Sequence, residues 1–333
     1  MRALTVVEPA LVRMESDYTP ADDGDILVTP TLVGLCGTDL DIIDGRIDPA
    51  FVRYPVVLGH EWTGVVAQSD DPALPAGARV VVEGIVPCGQ CRECARGATN
   101  RCLTYDEFGF TRAGAAADLV RAPGRLVHPL AAGVSEESAA LVEPAAVVLR
   151  ALQRAQPEPG ETVLVVGDGT VALLVARLIQ LWSPASVTML GRRPTQARLA
   201  AAVGVSRFVT GSEPLGRHAL VVEAAGAAEA VTAALAGVER GGRVVLLGFP
   251  GADVGVPVVV DDLVNGDVRV EGSFSYSRTA WADLVALLNA GRLDLADLVT
   301  HRFGADRWSD ALEELRRPQG ERGKVLLDMR EGR

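Results

Sequence analysis

Thr162-Val163-Leu164-Val165-Val166 is an uncharged run of strand-forming residues, and it feeds directly into Gly167-Asp168-Gly169-Thr170-Val171-Ala172. After this turn Val171, Leu174, Val175, Leu178 and Leu181 recur at helical spacing. A buried strand, a G-x-G-x-x-A turn and an amphipathic helix in that order leave few folds open. Gly167 permits the tight turn, Gly169 lets a phosphate approach the backbone, and Ala172 lets the helix pack closely on the sheet. The helix N-terminus, with Thr170 and Val171 in its first turn, faces that anion. Further strands over 187–190, 207–209, 219–223 and 243–248 alternate with helices over 195–203 and 227–237. Such alternation predicts an α/β domain, a doubly wound parallel sheet that binds a dinucleotide at the carboxyl ends of its strands. Ala225, just past one of these strands, and Gly248, at the end of another, are assigned to the same cofactor.

The second strand of a dinucleotide fold ends in an acid when the cofactor is NAD(H). Here it ends Leu190-Gly191-Arg192-Arg193. Two guanidiniums suit an adenosine 2′-phosphate, and Gly191 leaves room for it. The expectation is NADP(H) in preference to NAD(H), with NAD(H) still possible. The other reading of the arginines is a solvated start to the next helix.

The first third is different. Short strand-like runs at 3–7, 25–32, 56–57, 64–67, 79–82 and 117–120 are punctuated by Pro and Gly, as in a β-rich domain. A helical stretch over 138–155 ends at the breaker cluster Gln156-Pro157-Glu158-Pro159-Gly160. The expected domains are 1–144, 145–278 for the cofactor, and 279–333 returning to the first, with an amphipathic helix at 281–289 and a terminal strand at 324–329.

Basic residues number 32 against 43 acidic, a net charge of −11, which opposes non-specific nucleic-acid binding. Lys324 is the only lysine, a trait read as compositional. No apolar run reaches 18 residues, so no membrane helix is expected. Glu8 and Pro9 interrupt the first apolar run too early for a secretory signal, and the expected compartment is the cytoplasm.

In a reducing compartment, clustered thiols point to metal. Cys88-x2-Cys91-x2-Cys94-x7-Cys102 offers four thiolates at spacing suited to a closed, tetrahedral Zn²⁺ site that stabilises a small lobe over 88–102. Disulfides or a redox C-x-x-C are the alternatives. The fifth cysteine stands in Gly34-Leu35-Cys36-Gly37-Thr38-Asp39, and Gly59-His60-Glu61-Trp62-Thr63-Gly64 follows. A lone Cys is usually a small buried hydrophobe and a lone His a structural residue. A Cys, a His and a carboxylate on loops of one domain also suffice for an open Zn²⁺ site.

With the Cys-Gly-Thr-Asp loop, the Gly-His-Glu box, the four-cysteine lobe, Glu143-Pro144 and the glycine turn in this order, the chain resembles the medium-chain dehydrogenase/reductases of the zinc-dependent alcohol and polyol dehydrogenase type, over almost its whole length. The resemblance implies a β-rich GroES-like catalytic domain joined to a Rossmann cofactor domain. It implies two zinc ions per chain, the catalytic one held by Cys36 and His60 with Glu61 as a further or exchanging ligand. Glu143 stands where such proteins carry a Cys or Glu near the metal; a helix-start carboxylate is the other reading. Asp39 would orient His60, and Thr38 would contact the substrate oxygen. The position of the usual relay histidine is Asp41, which either holds a substrate hydroxyl or amine or is simply solvated. Glu107 matches loosely a pocket acid that contacts substrate, and an exposed loop acid is its alternative.

The implied reaction is hydride transfer between a nicotinamide and a secondary alcohol or ketone, in the cleft between the domains. Glu at 143, the Gly-His-Glu-Trp box and Phe108-Gly-Phe-Thr-Arg-x-Gly resemble bacterial sugar, aminocyclitol and aminosugar dehydrogenases of antibiotic pathways. The expected substrate is therefore a polyhydroxylated small molecule: a cyclitol, a sugar or an aminoglycoside intermediate. Competing readings are an NAD-dependent polyol dehydrogenase, a zinc-free quinone or enoyl reductase, and a non-catalytic NADP(H)-binding protein. The resemblance also implies a homodimer or homotetramer paired through a late strand, with 256–260 and 268–272 as candidates.

Overall fold

The computed structural model describes residues 1–22, 24–211 and 213–332. It divides into two compact units: Met1–Glu143 with Ser277–Arg317 and Lys324–Arg333, and Pro144–Tyr276 with Pro318–Gly323.

The first unit is built on a seven-stranded sheet. Its path runs Val127–Pro129, Arg79–Val82, Glu61–Gln68, Ile26–Leu35, Lys324–Asp328 and Val299–Gly304, and Val120–Ala122 pairs separately with Ile26–Leu35. A three-stranded sheet of Leu11–Glu15, Ala3–Glu8 and Val56–Val57 completes it. Alternate residues of these strands, among them Val28, Val66, Val80 and Val82, join Leu4, Trp62 and Phe108 in one apolar core. The C-terminal strand is central to the site. Leu326 pairs with Gly34, and on the other side of the same strand Gly34 pairs with Glu61.

The second unit holds six parallel strands in the order Arg207–Thr210, Ser186–Gly191, Thr162–Val166, His218–Glu223, Val238–Leu246 and Arg269–Gly272. The order reverses at Thr162–Val166, the switch point where such sheets bind ligands. The following helix, Thr170–Ile179, buries Ala172, Leu174, Val175 and Leu178 against the sheet, as its apolar spacing predicts.

Two local expectations change. The helical stretch at 138–155 is broken into Glu136–Ala140 and Val142–Ala155. Pro144 explains the break: it has no N–H to donate to the carbonyl of Ala140, so the first helix cannot continue through it. Residue 260 opens the helix Val260–Gly266 instead of ending a strand, whereas Arg269–Gly272 is a strand at the sheet edge.

Candidate active site and cofactor loop

Cys36 ends the strand Ile26–Leu35 and caps the helix Gly37–Ile43, its Sγ accepting from the Thr38 amide at 3.3 Å. Asp39, fully buried in the first turn, returns one carboxylate oxygen to the Cys36 amide at 2.8 Å. This reciprocal cap satisfies amides at the helix start and fixes both side chains. The other Asp39 oxygen stands 3.5 Å from His60 Nδ1. Nε2 of the same ring is thereby turned to Cys36 Sγ, 3.2 Å away, and to Glu61 Oε1, 3.9 Å away. A carboxylate behind one ring nitrogen is how metal-binding imidazoles are oriented.

Ligand atoms of Cys36, Asp39 and His60 lie within 4.8 Å of one another, and so do those of His60, Glu61 and Glu143. His60 is shared, so Cys36, Glu61 and Glu143 converge on its ring. Burial opposes a charged His60, yet Cys36 and Asp39 draw its pKa well above the ordinary imidazole value. Burial, reinforced by the Glu61 charge, pushes Glu143 up to about 8. Burial also raises Glu107 to about 7, although His60 pulls the other way. The donor set of one thiolate, one imidazole and carboxylates fits Zn²⁺ with a position left open.

Glu61 has a partner that sequence reasoning missed. The Lys324 ammonium, fully buried, pairs with Glu61 Oε2. Gly34 makes the space: a Cβ there would lie 2.5 Å from Glu61 Oε2 and 2.7 Å from Lys324 Cε. The signal in the sequence was the singularity of that lysine. Asp41 is not in this constellation. It is about 40% exposed and paired with Arg46 at 2.6 Å.

In the lobe, ligand sulfurs of Cys88, Cys91, Cys94 and Cys102 lie within 4.8 Å of one another, and all five cysteines are free. The Cys91–Cys94, Cys88–Cys94 and Cys91–Cys102 separations are 3.5, 3.9 and 3.9 Å. Zn–S bonds of about 2.3 Å in a tetrahedron require S–S edges of about 3.8 Å. The backbone amides of Gln90 and Cys91 draw Cys88 down to about 6. Burial, with Cys91 alongside, pushes Cys94 up to about 12. The four thiols are placed to share a cation.

In the second unit, Gly167 takes φ +126°, and Gly169 precedes the helix Thr170–Ile179. The Thr170 hydroxyl donates to the Gly323 carbonyl at 2.9 Å. Asp168, the middle residue of the glycine turn, accepts from the amides of Arg192 and Arg193, both at 2.8 Å. Arg193 also donates from Nε and Nη2 to Asp168 Oδ1, at 3.2 and 3.0 Å. Of the two arginines expected at a 2′-phosphate, Arg193 is thus already engaged, and Arg192 is exposed. Glu223, buried at the end of its strand, accepts from the Ala225 and Gly226 amides at 2.8 Å and the Gly248 amide at 3.1 Å. It pins the loops carrying two expected cofactor residues. An acid ending an apolar strand was its only trace in the sequence.

Comparison with known proteins agrees with this geometry. Residues 22–132 match the alcohol dehydrogenase GroES-like domain, and residues 136–318 match the glucose dehydrogenase C-terminus. An L-threonine 3-dehydrogenase of Streptomyces avermitilis is 32% identical, over 96% of both chains. A D-altritol 5-dehydrogenase of Agrobacterium fabrum is 33% identical, over 91% of this chain and 92% of its own. A solved Sinorhizobium meliloti structure, described as a zinc-binding dehydrogenase bound to NADP, superposes with TM-score 0.89 at 27% identity over 98% of each chain.

Proposed function

We propose, starting from the fact that this chain belongs to the zinc-dependent medium-chain dehydrogenase/reductases, that it is an NADP(H)-linked oxidoreductase acting on a secondary alcohol or ketone of a polyhydroxylated small molecule. The observation that carries this is the convergence of Cys36, Glu61 and Glu143 on His60, with Glu107 half-buried nearby. When bound, zinc supplies Lewis acidity toward the substrate oxygen, and the nicotinamide supplies or takes the hydride. Cys36 and His60 are the metal's fixed ligands, and Asp39 holds the His60 ring in register through Nδ1. Glu143, which forms no ion pair among the described residues, would be the third ligand. Glu61, one of whose oxygens Lys324 already holds, would be a further or exchanging ligand. The Thr38 hydroxyl would hydrogen-bond the substrate oxygen, taking the proton of an alcohol only as its own proton leaves to solvent water. Glu107 accepts from a second hydroxyl or an amine on the substrate, a contact that an alcohol with one functional group lacks. Asp41 is left outside the reaction.

At the cofactor loop, Gly167, Gly169, Thr170 and Val171 present backbone to the pyrophosphate, Ala225 and Gly248 flank the nicotinamide half, and Arg192, exposed and unpaired among the described residues, is the guanidinium for a 2′-phosphate. A relative bound to NADP supports that reading. The altritol and threonine relatives support substrates carrying neighbouring hydroxyl or amino groups. A cyclitol or aminosugar of an antibiotic pathway is the narrower proposal, and it rests on the Gly-His-Glu-Trp box. We place the protein in the cytoplasm on its free thiols; among the described residues no helix is long and apolar enough to cross a membrane.

The test is a metal assay followed by an NADPH-oxidation and NADP-reduction screen over oxidised and reduced cyclitols, alditols, aminosugars and L-threonine. The expected result is two zinc ions per chain and turnover confined to substrates with a vicinal hydroxyl or amine. Equal turnover of a plain secondary alcohol would refute the substrate class.

We also propose a homodimer or a tetramer of dimers. Among the described residues the strand Arg269–Gly272 pairs on one side only, and Val258, Val259, Val260, Val264 and Val270 are exposed in the same stretch of chain. An apolar sheet edge left in water is an association site.

A further inference from the structure

The missing acid of the second cofactor strand is supplied from elsewhere. Asp168 rises from the glycine turn and, with Phe208, fills the place a side chain at 191 would occupy: a Cβ on Gly191 would lie 2.5 Å from Phe208 Cζ and 2.9 Å from both Asp168 Cβ and Asp168 Oδ2. There the carboxylate fills a ready-made anion pocket. One oxygen takes the amides of Arg192 and Arg193, and the other takes Nε and Nη2 of Arg193. The Arg193 guanidinium reaches the Asp168 carbonyl as well, at 2.9 Å. Both side chains are only 12% exposed. Arg193 Nη1 is buried without a partner, so this guanidinium retains an unused donor edge. In dinucleotide folds the end of the second strand meets the adenosine 2′ position, where two backbone amides and an arginine fork would suit a phosphate.

We propose that Asp168 is a built-in counter-anion that fills the 2′-phosphate pocket and sets how strongly this chain distinguishes NADPH from NADH. The inference rests on the cofactor-loop assignment above and changes its emphasis. Arg193 is neutralised by Asp168, Arg192 alone meets the 2′-phosphate, and discrimination is modest because the dianion approaches a carboxylate. Removing the Asp168 charge frees Arg193 to bind it.

The test uses the full chain and two ligands that need neither zinc nor turnover, adenosine 2′,5′-bisphosphate and AMP, with affinities measured by calorimetry. The wild-type protein should prefer the bisphosphate by less than about tenfold, the effect of one partly exposed charged contact. Asp168→Asn keeps an oxygen for the two amides. It should raise the preference for the bisphosphate over AMP by about tenfold or more. Asp168→Asn with Arg193→Ala should lose that gain, and thermal melts show whether each variant is folded. A folded Asp168→Asn with an unchanged ratio overturns the proposal. So does one with weaker bisphosphate binding, which would make Asp168 a support for a phosphate-reading Arg193. A wild-type preference of a hundredfold overturns it with no variant at all. If wild type and variants bind neither ligand, the cofactor-loop assignment fails and this proposal fails with it. If wild type binds both equally and Asp168→Asn gains selectivity, the NADP(H) preference fails and the proposal stands.

Discussion

Lys324, the only lysine in 333 residues, is buried with its ammonium on the carboxylate of Glu61, and Gly34 lies between the two strands that carry them. The pair holds one Glu61 oxygen away from His60. Removing one partner of a buried ion pair leaves an uncompensated charge and costs about 3–5 kcal/mol. Lys324→Met should therefore lower unfolding stability by about that amount in urea titration, with Lys324→Arg recovering part of it. Wild-type stability in Lys324→Met would show that the pair has no structural role.

The two metal sites should separate by mutation. Cys36→Ser is expected to lose turnover and one zinc ion while keeping the wild-type melting temperature, because an open site adds little to the fold. Cys94→Ser is expected to lose the other zinc and to destabilise the protein, since the metal stands in for a core in the lobe. Metal content by atomic absorption and calorimetric melts measure both. Two folded, active variants would remove the two-site assignment.

Arg192→Ala should raise KM for NADPH several-fold, by less than about tenfold, and leave KM for NADH within about twofold, the loss of one partly exposed charge-assisted contact. Steady-state kinetics with both cofactors decides it. Equal shifts would mean that Arg192 does not read the 2′-phosphate.

The exposed apolar edge predicts association at micromolar concentration. Val264→Asp, on a residue 72% exposed, should shift light scattering toward the monomer without lowering secondary structure by circular dichroism. A monomeric wild type would refute the proposed assembly.

Asp328 gives an acid limit. Burial acts against its charge, but Arg330 and Arg302 hold its pKa down at about 2. A free aspartate titrates near about 3.9, so the folded protein binds this proton less readily than the unfolded chain. The stabilisation is complete above about pH 4 and is lost as pH falls through about 2. Its size, discounted for partial solvation, is about 1–2 kcal/mol. Asp328→Asn should lower the melting temperature at pH 7 and leave it nearly unchanged near pH 2. A uniform loss at both would assign the effect to packing.

The α/β character of the second unit was legible because its determinants are local. An apolar strand, a glycine turn and a helix at 3.6-residue spacing need no distant partner to be recognised. The four-cysteine lobe was legible for the same reason, its ligands falling within 15 residues from Cys88 to Cys102. Cys36 and His60 were visible as motifs, but only the antiparallel pairing of Ile26–Leu35 with Glu61–Gln68 and the reciprocal cap through Asp39 place them together. Partners far apart in the chain were not legible. Lys324 meets Glu61 through a strand returning 263 positions later, and Asp168 meets Arg193 across two parallel strands. Sequence patterns record which residues can bury, turn or ligate. Which charge neutralises which is set by sheet order and register, and those follow from the packing of the whole chain.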